Sequence, residues 1–402
     1  MSTGSTSPRV ALALAGGGPL GAIYEIGALC ALEESLQGVA FNRLHHYVGV
    51  SAGGFIAAAL ANGFTPRELC ASFIENSGGS EVFDPAWLMV PAWGEFRHRL
   101  GRLPRLAASA LWRATGGRKP LTHAIEQLGP ALPTGLFSSE EIHRRLAEAF
   151  SRPGRSNDFR RLPTRLTLVA TNLDTGEAAP FGRPGFDEVP ISRAVQASAA
   201  LPGLFPPVRI GDGYFVDGAL KKTLHASVAL AEGADLLLCL NPLVPFRAGA
   251  AARPGERGIP RIVEGGLPAV LSQTFRSMIH SRMELGMKQY ERLYPRTDIV
   301  LLEPDRGDAQ MYLANTFSYR QRRELAEHAY QQTRALLRAR QADIGPKLAR
   351  HGVRLRGDVL LQQRRLLAPQ PGSRVGQAMV RLDGALDDLA RWVQACGDKA
   401  AA

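Results

Sequence analysis

One serine in this chain stands where a hydroxyl can become a nucleophile. In His45-His46-Tyr47-Val48-Gly49-Val50-Ser51-Ala52-Gly53-Gly54 an aromatic and β-branched run stops at a glycine, and Ser51 lies between Gly49 and Gly53. A strongly helix-forming stretch, Phe55-Ile56-Ala57-Ala58-Ala59-Leu60, follows. Strand, sharp turn and helix in that order make a nucleophile elbow, which lifts the hydroxyl above the sheet edge. Acyl transfer by serine also needs a base for its proton and donors for the oxyanion. Gly16-Gly17-Gly18, between an apolar strand and a helix, can aim successive backbone N–H groups at one small anion, aided by the helix dipole. The same loop could bind phosphate, but a nucleotide P-loop ends in Gly-Lys-Ser/Thr, and here Pro19-Leu20-Gly21 follows. The dinucleotide spacing is formally met by Gly16, Gly18 and Gly21, a weak pattern by itself.

The base is less obvious. A Ser-His-Asp triad on such a sheet runs serine, acid, histidine. His225, His280, His328 and His351 lie downstream, yet none is in a strand-end loop with glycine neighbours. Asp217 is: it follows the hairpin pattern Val208–Val216 and precedes Gly218-Ala219, a compact turn able to aim a carboxylate. A carboxylate with an ordinary pKa of about 3.9 is a weak base for a serine hydroxyl. Exclusion of water and strong oxyanion stabilisation make it sufficient.

The elements that must hold these groups are readable from apolar patterning. Arg9–Ala15, the elbow strand, Arg165–Asn172, Asp235–Leu240 and Asp298–Leu302 read as buried strands. Helices are expected over 22–36, from Pro66 to about Ile74, over 120–129, Ser138–Phe150, Ile191–Ala200, Ala226–Glu232 and 266–293. Thr65-Pro66 supplies a cap and a first-turn proline, and Ser138-Ser139-Glu140-Glu141 comes close to a capping box. Alternation of strands and helices predicts an α/β fold, a mostly parallel sheet with helices on both faces. Residues 80–120 interleave Trp87, Trp93 and Trp112 with arginines, which suits an interfacial element, a lid over a lipid site, or a helical insertion packed on the core. Residues 245–260 read as a Pro/Gly/Ala/Arg linker, and beyond Ser318 the chain is basic and helical, amphipathic at 321–340 and 376–394. The expected division is a hydrolase-like domain at 8–318, containing the 80–120 insertion, and a helical extension at 319–402.

The 402 residues carry a net charge of +11 and a pI near 9.9, which favours an anionic partner. The basic residues are dispersed and match no nucleic-acid motif, so an anionic membrane surface is favoured over nucleic acid. Four scattered cysteines, Cys30, Cys70, Cys239 and Cys396, have neither disulfide nor metal spacing; they suit a reducing compartment, with Cys239 packed in a core strand. The polar lead-in Met1–Pro8 is unlike a secretory signal, and no apolar run is long enough to span a bilayer. A cytoplasmic or peripheral-membrane location is the expectation.

Together, Gly16-Gly17-Gly18-Pro19-Leu20-Gly21, Gly49-Val50-Ser51-Ala52-Gly53 and Asp217-Gly218-Ala219, in this order, resemble the patatin-like phospholipase family. Thr171–Glu177 and Ala197–Val208 are also similar to segments of that family, and the likeness covers about residues 8–240. The resemblance implies a patatin-like α/β fold and a serine–aspartate acyl hydrolase acting on lipid esters without metal or other cofactor. It makes Ser51 the nucleophile, Asp217 its base, and Gly16, Gly17 and Gly18 the oxyanion donors. Phospholipid or lysophospholipid is the leading substrate class. Neutral-lipid or acyl-thioester hydrolysis, or lipid binding by a catalytically weak protein on this scaffold, are the alternatives. Leu20 departs from the family pattern, which usually has a cation just before the last glycine.

Overall fold

A computed structural model of the chain describes residues 8–77, 90–101, 132–247, 261–313, 319–368 and Met379. The sheet is organised around β1 (Val10–Leu14), whose five residues are all buried. Val10, Leu12 and Leu14 enter one apolar core while Ala11 and Ala13 enter another, so this strand is covered on both faces. That is why it reads as an unbroken apolar run rather than an alternating one.

After β1 come α1 (Gly18–Ser35), the short β2 (Leu36–Gln37), β3 (His46–Val50), α2 (Ala52–Ala61), α3 (Pro66–Cys70) and α4 (Trp93–Leu100). The middle of the chain gives α5 (Glu140–Phe150), β4 (Arg165–Asn172), β5 (Ala178–Phe181), α6 (Ile191–Ser198), β6 (Val208–Ile210) and β7 (Gly213–Asp217). Then follow α7 (Ala226–Ala231), β8 (Leu236–Leu240), α8 (Gly266–Leu293), β9 (Asp298–Leu302) and α9 (Ala309–Leu313). The described chain closes with α10 (Tyr319–Ala339), α11 (Gln341–Ala349), β10 (Arg354–Leu355) and α12 (Gly357–Leu361).

Five strands are parallel, in the order β4-β3-β1-β8-β9. Helices α1, α2 and α10 cover one face through side chains such as Leu29, Ile56 and Ala329, and α7 and α8 cover the other through Ala229 and Tyr290. This is the expected α/β fold. Residues 319–368 pack on this core. Leu325, Ala326 and Tyr330 of α10 share it with α1, buried Arg334 pairs with Glu34 at 3.1 Å, and β10 pairs antiparallel with β2.

Helix ends differ from expectation in two informative places. Helix α1 begins at Gly18 rather than Ala22, with Pro19 in its first turn, where a missing N–H costs nothing. The box foreseen at Ser138–Glu141 does not close: the Ser139 hydroxyl accepts instead from Gln196 Nε2 at 2.9 Å, tying α5 to α6. The box at Thr65 and Glu68 does form, and α3 runs on into a π-helical turn, Ala71–Glu75. The expected helix at 120–129, the stretch 376–394 apart from Met379, and both Trp87 and Trp112 lie outside the described residues.

Candidate active site

Two strands meet end to end beside β4. Leu168 and Val169 of β4 pair with both β3 and β5, so those two strands occupy opposite edges. Ala170 and Thr171 pair with both β5 and β7, which places β7 on the edge that β3 has just left. Val50, the last residue of β3, sits opposite Val169, and Asp217, the last of β7, sits opposite Ala170. Adjacent pairing positions are about 3.3 Å apart along a strand. Ser51 and Asp217, far apart in sequence, are therefore brought together where two chain ends converge from opposite directions.

The turn at Ser51 is strained and over-determined. Its backbone, at φ 53° and ψ −123°, lies in a region that a residue with a side chain avoids. Such geometry costs of order 1–3 kcal/mol and persists only where the surroundings enforce it. The flanking glycines do so by close approach. A Cβ on Gly49 would lie 2.5 Å from the Gly54 Cα, and one on Gly53 would lie 2.5 Å from the Ala15 carbonyl oxygen. Ser51 N–H donates to Ser198 Oγ at 2.8 Å, and that hydroxyl donates onward to the Val169 carbonyl at 2.6 Å.

Asp217 is buried, and its Oδ1 accepts from Ala219 N–H at 2.8 Å. Burial pushes its pKa up to about 6, opposed by that amide and by the Ser51 hydroxyl, which both favour the charged form. Above pH 6 the carboxylate is ionised yet a stronger base than an exposed aspartate. No histidine hydrogen-bonds Ser51 or Asp217 among the described residues. The nearest to Asp217 in sequence, His225, is buried, faces the Gly218 carbonyl at 3.4 Å, and is kept neutral by a pKa lowered to about 4 by desolvation. His280 faces Glu284, His328 pairs with Asp308 and His351 with Asp298.

The glycine loop closes the other side. A Cβ on Gly16 would lie 3.2 Å from Ser51 Cβ and 3.1 Å from Ala219 Cβ, so this backbone abuts the nucleophile candidate and the residue whose N–H donates to Asp217. Gly16 N–H is directed to the Thr223 carbonyl at 3.4 Å, whereas the N–H groups of Gly17 and Gly18 meet no acceptor among the described residues. Of the three expected donors, two thus have no acceptor among the described residues, at the N-terminus of the 18-residue α1. Gly18 has φ +60°, which explains a glycine at that helix start. Leu20 is half-buried and packs on the main core, so its position adds no charge to the loop. Glu25 on α1 is fully buried, and burial raises its pKa well above the usual carboxylate range, keeping it neutral. Among the described residues no three His, Cys, Asp or Glu side chains gather as metal ligands.

Ser198 is a site residue that sequence reasoning misses, even though its segment Ala197-Ser198-Ala199-Ala200 stands out. The available signal is a polar residue in a small-residue helix end that is otherwise buried. Ser198→Ala leaves the Ser51 N–H and the Val169 carbonyl unpartnered, so a loss of about 1–3 kcal/mol in stability is expected. As a positioning residue it should lower kcat roughly ten- to a hundredfold with KM little changed. A change confined to KM would contradict that role.

These features define a class: an α/β protein with a serine elbow and a companion buried carboxyl at the carboxyl edge of a parallel sheet. The chain belongs to the patatin-like phospholipase family, whose model matches residues 12–230, from β1 to α7. An uncharacterized NTE family protein of Mycobacterium tuberculosis is 27% identical over 230 residues, 57% of this chain and 30% of that one. An uncharacterized Bacillus subtilis protein, YqhO, is 28% identical over 216 residues, 51% of this chain and 61% of that one. Among solved structures, VipD from Legionella pneumophila is similar at 18% identity and a TM-score of 0.37, over 83% of this chain and 67% of that one. The match thus spans less than a third of the length of the mycobacterial relative. Among the described residues no helix is long and apolar enough to cross a membrane.

Proposed function

We propose that the protein is a lipid acyl hydrolase that works through an acyl-enzyme on Ser51. The observation that carries this reading is the convergence of Ser51 and Asp217 on one edge of β4, with a buried carboxyl beside the hydroxyl. Asp217 takes the Ser51 proton as Oγ attacks the ester carbonyl carbon. The oxyanion that forms faces the N–H groups of Gly17 and Gly18. Collapse breaks the C–O bond, the departing alcohol receives the proton from Asp217, and the acyl group stays on Ser51. Water then attacks the acyl-enzyme, giving its proton to Asp217, and Ser51 recovers a proton as the fatty acid leaves.

Phospholipid or lysophospholipid is the substrate class proposed, reached by peripheral contact with an anionic lipid surface. The charge of +11 supports such contact. So does exposed apolar surface near the site. Leu201 and Leu204 follow Ala200, whose carbonyl accepts from Asp217 N–H, and Trp93 is 73% exposed on α4. The test is fatty-acid release from a panel of phospholipid, lysophospholipid, triacylglycerol and acyl-thioester. Release greatest from the first two is expected, and no release from any would overturn the reading. With Asp217 as base, kcat/KM should rise with pH through an inflection at about 6 and then level off. An acid limb near pH 4 would mean that the carboxyl is not shielded from water.

A further inference from the structure

Helix α8 presents two different faces. One face, with Ile279, Met283 and Tyr290, lines a cavity of about 210 Å³ whose opposite wall is residues 219–224, starting at the Ala219 that abuts Gly16 and donates to Asp217. The other face carries Leu267, Leu271, Phe275, Met278 and Leu285, spaced by three, four or seven residues in register with the helix turn. These five are between 46% and 70% exposed, an apolar stripe along most of a 28-residue helix. Arg282 interrupts the stripe and also reaches the cavity, whose rim includes Lys221 and Lys222. Lys221 donates to the Gly176 carbonyl, and none of the three cations pairs with a carboxylate among the described residues.

From this we infer that α8 is the face on which the protein docks on an anionic lipid surface, with Arg282, Lys221 and Lys222 set to meet lipid phosphates at the mouth of the cavity beside the site. The inference rests on the proposed function, since it supplies the route by which a lipid ester would reach Ser51. Three observations favour a lipid surface over other occupants. The stripe and the cavity share Arg282, and the cavity lining begins at Ala219, whose N–H donates to Asp217. No acid lies within it: Glu284 and Glu291 fall on the far flank, and Glu284 is paired with Arg306 at 2.6 Å. A second copy packed symmetrically on the stripe would also bring two Arg282 side chains toward each other, whereas phosphates would satisfy both.

The experiment is flotation of the full chain carrying Ser51→Ala, so that no lipid is consumed, with vesicles of phosphatidylcholine alone or mixed with phosphatidylglycerol. Binding to the anionic vesicles is expected to fall at least about tenfold on Leu271→Ser with Phe275→Ser, and separately on Arg282→Glu. Thermal unfolding shows that the variants are folded. Equal flotation of parent and variants would overturn the proposal. So would loss on Trp93→Ser alone, which would move docking to the α4 face, or a dimer in light scattering that the α8 substitutions dissolve. Hydrolysis of a water-soluble ester by the unsubstituted protein keeps the two readings apart. Flotation as expected with no hydrolysis defeats the enzyme and leaves the docking face standing, and hydrolysis with flotation indifferent to α8 defeats the docking face alone.

Discussion

Ser51→Ala is expected to lower fatty-acid release by at least about 10⁴-fold, because removing the nucleophile removes the covalent route and leaves only what the oxyanion donors provide. The fold should survive. Ser51 holds its strained backbone through its N–H to Ser198 and through the packing of Gly49 and Gly53, none of which involves the hydroxyl. Alanine at the same φ of 53° adds no bulk, so the circular dichroism spectrum and unfolding temperature should stay close to those of the parent. Residual turnover within tenfold of the parent would show that another group attacks the ester.

Asp217→Asn should act in two directions at once. Hydrolysis is expected to fall by about 10³-fold or more, since the amide cannot take a proton from Ser51. Stability, by contrast, should rise at alkaline pH. The folded pKa of about 6 lies above the ordinary 3.8, so folding favours the protonated carboxyl. That contribution is fully present below pH 4 and is lost as pH rises through 6. At pH 8 the ionised, buried group costs on the order of 2–3 kcal/mol relative to a neutral isostere that still accepts from Ala219 N–H. Denaturant titration at pH 8 should show the variant as the more stable protein, and at pH 4 the difference should vanish. A variant less stable at both pH values would mean that the carboxylate is structural rather than held ready for chemistry.

Much of the fold is legible in the residues, and the reasons for the exceptions are physical. Strands such as β1, β8 and β9 lie inside the sheet or against its covering helices, so their apolar runs mark them without any pattern of alternation. Helix α8 is readable at its full length because no glycine pair or proline interrupts its interior strongly enough to end it. The elbow is visible because its glycines are demanded by backbone contacts that no other residue tolerates. The pairing of Ser51 with Asp217 is suggested by turn chemistry, but local sequence does not dictate it. It depends on β7 taking the edge of β4 that β3 vacates, and register between distant strands leaves no local trace. Ser198 escapes for the same reason, since its role is a hydrogen bond to a residue at the end of another element. The two faces of α8 are hidden too. Its interior positions include buried Met283 and exposed Leu285, and hydropathy alone does not separate a residue that lines a cavity from one that meets solvent.

Activation of a nucleophilic Ser51 by Asp217 is probed most directly with a long-chain fluorophosphonate, followed by peptide mapping of the adduct. A single adduct on the peptide containing Ser51 is predicted, absent from Ser51→Ala and formed far more slowly by Asp217→Asn. No adduct on the folded protein, or an adduct on a different serine, would contradict the assignment of Ser51 as nucleophile.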